Sequence, residues 1–88
     1  MNIEYRGTYK KMFQNLSKPE KELTRDILEL FIEAPHHPSL RNHPLDPPLE
    51  RYRSISIDAD LRILYRMIDT ETALLLKIGK HDEIYKRL

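Results

Sequence analysis

Arg51-Tyr52-Arg53-Ser54-Ile55-Ser56-Ile57, Asp58-Ala59-Asp60, Leu61-Arg62-Ile63-Leu64-Tyr65-Arg66-Met67-Ile68, Asp69-Thr70-Glu71-Thr72, Ala73-Leu74-Leu75-Leu76-Lys77-Ile78: this run decides the fold. Three apolar segments are separated by two short polar connections, so it predicts a three-stranded meander. Alternation sorts the faces. Arg53, Ile55 and Ile57 oppose Tyr52, Ser54 and Ser56. Leu61, Ile63, Tyr65 and Met67 oppose Arg62, Leu64, Arg66 and Ile68. Leu74, Leu76 and Ile78 oppose Ala73, Leu75 and Lys77. One face is apolar and suits covering helices. The other carries Arg62, Arg66, Lys77 and the serines, where a purely structural sheet would carry Val or Thr. Gly79-Lys80-His81 follows directly. Cations on strands with a histidine at their end point to a face that handles an anion, with RNA phosphate the best candidate.

Upstream, Ile3 and Tyr5 alternate with polar residues in a short strand that Gly7 ends. Thr8 is placed to cap a helix bearing Tyr9, Met12, Phe13 and Leu16 on one side. Ser17-Lys18-Pro19-Glu20 is a capping box with proline in the first turn. The helix it opens carries Leu23, Ile27, Leu30, Phe31 and Ala34 on one stripe and stops before Pro35. Residues 35–48 form a long connection rich in proline and histidine, a length that is usually functional or mobile. The expected fold is α+β: an N-terminal strand and helical hairpin on a mostly antiparallel four-stranded sheet, with a short C-terminal helical tail. One domain spans residues 1–88.

The formal net charge is only +1, low for a nucleic-acid binder. Arg51, Arg53, Arg62, Arg66, Lys77, Lys80, Lys86 and Arg87 nevertheless fall in the sheet and tail, while Asp58, Asp69 and Glu71 sit in the connections. This predicts a local basic surface. The chain has no cysteine, which fits an intracellular, cytoplasmic protein. It shows no membrane-length apolar run and no signal-peptide pattern. His36, His37, His43 and His81 lack metal-ligand spacing, so no metal site is expected.

Four stretches carry a resemblance: Asn42-His43-Pro44-Leu45; Tyr52-Arg53; Asp60-Leu61-Arg62-Ile63-Leu64-Tyr65; and Gly79-Lys80-His81 with Tyr85 four residues on. In this order they resemble the RelE/ParE superfamily of bacterial toxin–antitoxin toxins, in particular its YafQ-like branch. The resemblance implies an endoribonuclease that cuts mRNA on the ribosome by 2′-OH attack, without metal or other cofactor, neutralised by a cognate antitoxin. It implies catalytic roles for His81 as general acid, Asp60 or His43 as base, and Arg62 as phosphate stabiliser. Lys77, Arg53, Arg66, Lys80 and Tyr85 would then bind phosphate or RNA, although the parity of Arg53 with Ile55 and Ile57 leaves a structural role open. The sequence departs from the branch at Ser56, Leu61 and Lys77, where histidine, tryptophan and arginine are usual. Two alternatives share the fold: a ParE-like inhibitor of DNA gyrase without nuclease activity, and a degenerate domain that only binds an antitoxin. The nuclease reading expects Arg62, Lys77 and His81 to converge on one open patch.

Overall fold

The computed structural model describes residues 1–86; Arg87, counted above among the tail cations, and Leu88 lie outside them. Strand β1 (Asn2–Tyr5) leads into helices α1 (Gly7–Gln14) and α2 (Lys18–Glu33). After a 3-10 turn at Pro38–Leu40 come β2 (His43–Pro44), β3 (Tyr52–Ser56), β4 (Leu61–Met67), β5 (Thr72–Lys80) and the short helix α3 (His81–Ile84). The strands form one five-stranded sheet in the order β1-β5-β4-β3-β2. The meander is antiparallel, and β1 lies parallel to β5 at one edge. The fifth strand, absent from the sequence reading, is the two-residue β2, which pairs His43 with Ser54 and Pro44 with Arg53.

Local chemistry explains the connections. Asp58 Oδ1 accepts the N–H groups of Asp60 and Leu61, both at 2.8 Å, an Asx turn that reverses the chain between β3 and β4. Asp69 Oδ1 accepts from the Glu71 N–H at 2.8 Å. That backbone bond first, and bonds to Thr72 second, hold the Asp69 carboxyl below its ordinary value of 3.8. The folded state therefore favours the carboxylate. Its contribution is complete above the ordinary carboxylate range and is lost as pH falls through the depressed value. Asp69→Ala is expected to lower stability at neutral pH, and the gap to the native sequence should close in acid. Urea titrations across pH measure this; a gap that is constant with pH would contradict it.

The α2 cap is as the sequence predicts. Ser17 Oγ accepts from the Glu20 N–H at 3.2 Å, and Glu20 Oε1 accepts from the Ser17 N–H at 2.9 Å. Helix α1 departs from expectation. Arg6 still donates to the Leu75 carbonyl of β5 at 2.9 Å, and its own carbonyl receives the first helical bond, from Lys10. Parallel pairing thus sets the helix start one step before Thr8, and Gly7 is its first residue. On α2 the buried stripe is Thr24, Leu28 and Phe31, while Leu23 stays exposed. Thr24 tolerates full burial because its hydroxyl donates to the Glu20 carbonyl one turn back, at 2.8 Å.

The main core lies between these helices and one sheet face. Phe31 meets Tyr65 edge-to-face at 4.9 Å, among Ile55, Ile63, Leu75 and Ile78. The face assignment for β3 and the inward side of β4 holds; that for β5 does not. A bulge interrupts its register, since Tyr65 pairs with Leu75 but Leu64 with Lys77. The extra residue, Leu76, shifts the parity. Ala73, Leu75 and Ile78 consequently share the main core, while Leu74 and Leu76 turn to the opposite face.

That opposite face is not an open sheet. Leu64, Leu76 and the fully buried Ile84 form a second, small apolar cluster, ringed by Leu45, Tyr52, Leu74 and Tyr85. Helix α3 folds back over the sheet to make it. Its first turn is closed by Glu83 Oε1, which accepts the Lys80 N–H at 2.9 Å. Gly79 permits this fold-back: a Cβ there would stand 3.1 Å from Glu83 Oε1 and 3.2 Å from Glu83 Cβ. The small cluster leaves a groove on each flank.

Candidate active-site groove

The first groove, of about 460 Å³, is lined by His43, Pro44, Leu45, Asp46, Pro47, Leu49, His81 and Tyr85. Two distant stretches supply its two histidines. His43 stands on β2. Arg41, two residues earlier, adopts a left-handed conformation (φ 49°, ψ 41°), and its carbonyl accepts from His43 Nδ1 at 2.7 Å. A ring donating through Nδ1 carries its lone pair on Nε2 when neutral, which is the form a base requires. His81 opens α3. Its Nδ1 lies 3.6 Å from Asp82 Oδ1, an ion pair for a protonated ring. Its ring meets Tyr85 edge-to-face at 4.4 Å, which orients the imidazole at the groove wall.

Asn42 anchors the β2 side. Its Oδ1 accepts from Arg53 Nε at 2.9 Å and from the Tyr65 hydroxyl at 3.0 Å, and its Nδ2 donates to the Pro35 carbonyl at 2.8 Å. Leu40, fully buried, pins the preceding turn. The long connection is therefore tied to the sheet immediately beside His43.

A family model described as "ParE toxin of type II toxin-antitoxin system, parDE" matches residues 4–85. The chain belongs to this toxin family. Three solved structures share the fold. YafQ from E. coli strain BL21(DE3) is similar with a TM-score of 0.78 at 20% identity, covering 96% of this chain and 97% of that one. The toxin in the E. coli DinJ–YafQ toxin–antitoxin complex is similar at 0.78 and 23%, covering 96% of each. A YoeB/ParE toxin from Agrobacterium tumefaciens is similar at 0.76 and 18%, covering 92% and 99%. No curated protein sequence matches the chain.

For this ParE-family chain the structure brings together His43, His81 and Tyr85 and disperses the other residues expected at the site. Arg62, Lys77 and His81 do not meet in one open patch, contrary to the sequence expectation. Arg62 is half-buried between Ser56 and Gly79 in register. Its Nη1 lies 3.4 Å from Ser56 Oγ, and its Nε is buried without a partner among the described residues. The bulge and the α3 fold-back explain the separation. They put Lys77 on the far side of the small cluster, where it joins Arg6, Arg51 and Arg66 in a second groove of about 330 Å³. Asp60 is exposed in the β3–β4 turn and does not line the histidine groove. Arg53 is committed to Asn42 on the helix side of the sheet. Lys80 borders a depression on that same side with Leu16 and Glu20.

Two contributors to the groove, one of its lining and one beside it, carry no signal in the sequence. Asp46 lines the groove, but an aspartate in a proline-rich stretch reads as turn chemistry. Arg41 acts through its carbonyl and conformation, which side-chain identity does not report. Among the described residues no group of three or more His, Asp or Glu side chains could hold a metal ion, and no helix is long and apolar enough to cross a membrane.

Proposed function

We propose that this toxin is a ribosome-dependent endoribonuclease that cuts translated mRNA, with His43 as general base and His81 as general acid. The observation that carries the reading is the pair of histidines on one groove, one fixed through Nδ1 to a carbonyl and the other beside a carboxylate. His43 Nε2 takes the proton of a ribose 2′-OH, and the 2′-oxygen attacks the adjacent phosphorus. As the P–O5′ bond breaks, the His81 imidazolium gives its proton to the departing 5′-oxygen. The products are a 2′,3′-cyclic phosphate and a 5′-OH. Every proton is accounted for without a metal or cofactor. Tyr85 offers a face on which a base can stack. Work on translating ribosomes implies a cytoplasmic protein. The complex of YafQ with DinJ supports an antitoxin partner for this chain as well.

The ParE family match supports a second reading, inhibition of DNA gyrase without RNA cleavage. An inhibitor of that kind has no need of an acid–base pair. Primer-extension mapping of a message, with and without translation, separates the two. Cuts confined to the translated message are expected. Growth arrest with gyrase-linked DNA breaks and an intact message would favour inhibition.

A further inference from the structure

The second groove concentrates four cations from four parts of the chain. Arg6 stands at the β1–α1 junction, Arg51 precedes β3, Arg66 is on β4 and Lys77 is on β5. Thr8, Tyr52, Leu64 and Leu76 complete the wall. Among the described residues no carboxylate lines this groove or lies within ion-pairing distance of any of the four. For a chain whose net charge is +1, four cations around one depression without a carboxylate are a strong local asymmetry. Such a concavity focuses positive potential and attracts an anion. Lys77 is oriented by donating to the Lys86 carbonyl, so the tail just beyond Tyr85 runs beside the groove.

The two grooves flank the same apolar cluster. Leu45 and Tyr85 border the histidine groove, and Tyr52, Leu64 and Leu76 border the cationic one. A flexible polyanion can therefore pass from one to the other across Tyr52 and Tyr85. This combination of aromatic faces and a cationic channel is how proteins hold single-stranded nucleic acid without reading its sequence. An acidic peptide would satisfy the charges but would leave the continuity with the histidine groove without purpose.

We propose that Arg6, Arg51, Arg66 and Lys77 form a second anion subsite, which binds the backbone phosphates of single-stranded RNA flanking the bond to be cut. The proposal rests on the nuclease reading for its biological role, but its test does not use cleavage. Arg6 and Arg51 are exposed, and their side chains make no hydrogen bond among the described residues, so their replacement should leave the fold intact. The probe is a short 2′-O-methyl oligoribonucleotide, which lacks the attacking hydroxyl. Its binding is followed by fluorescence anisotropy against salt concentration. Arg6→Ala and Arg51→Ala are each expected to weaken binding by roughly threefold to tenfold and to flatten the salt dependence by about 0.7 for each phosphate no longer neutralised. Affinity and salt slope equal to those of the native sequence, in variants with native circular dichroism, would overturn the proposal. So would binding of polyglutamate at the groove in place of the oligonucleotide. A protein that binds through these arginines but never cuts keeps the subsite and loses the nuclease reading. A protein that cuts but shows no effect of the arginines does the reverse.

Discussion

His81→Ala is expected to lower the rate of message cleavage by about a hundredfold or more, in the range usual for a positioned proton donor. The side chain is exposed at the groove wall, so its loss should cost little stability, and matched thermal melts would show this. The role can be isolated chemically. A substrate with sulfur in place of the bridging 5′-oxygen has a leaving group that departs without a proton. His81→Ala should recover on that substrate, and His43→Ala should not, because the attacking 2′-OH still needs a base. Equal recovery of both variants would mean that the two roles are not divided as proposed.

The second large effect is expected at Asn42, which touches no substrate. Its side chain satisfies Arg53 Nε, the Tyr65 hydroxyl and the Pro35 carbonyl together. Tyr65 is buried and Arg53 half-buried. Asn42→Ala leaves a guanidinium and a phenol without an acceptor, at a cost of about 2–4 kcal/mol in urea unfolding. It also frees the segment that carries His43. Misplacement by about 1 Å is enough to cost on the order of a hundredfold in rate, so the folded fraction of Asn42→Ala should cut far more slowly than the native sequence. Asn42→Asp keeps the Oδ1 acceptor for both Arg53 and Tyr65 but turns a carboxylate oxygen toward the Pro35 carbonyl, so it should recover only part of each loss. Stability unchanged in Asn42→Ala would remove the residue from the architecture of the groove.

The sequence made much of this molecule readable, and what it hid has physical causes. The meander, the Ser17 capping box and the helix stop at Pro35 rest on local chemistry, and all are present in the fold. Strict alternation cannot register the bulge in β5, where one extra residue exchanges the two sides. The pairing of β2 with β3 involves two residues, too few for any periodicity. The family resemblance singles out His43 and His81 as candidates, but spacing alone cannot bring them to one groove. That required the fold-back at Gly79 and the left-handed turn at Arg41. Arg53 looked like a phosphate ligand beside Tyr52, and its parity with Ile55 was the better guide to its partner, Asn42. Arg6 gave no signal because its neighbours in space are far from it in sequence.

The most direct test is the chemistry of the cut ends. A translated message exposed to the native protein should yield upstream fragments ending in 2′,3′-cyclic phosphate and downstream fragments starting with 5′-OH. Folded His43→Ala and His81→Ala proteins should yield far less of both. Fragments ending in 3′-OH, or full cleavage by either variant, would show that the two histidines do not perform the reaction.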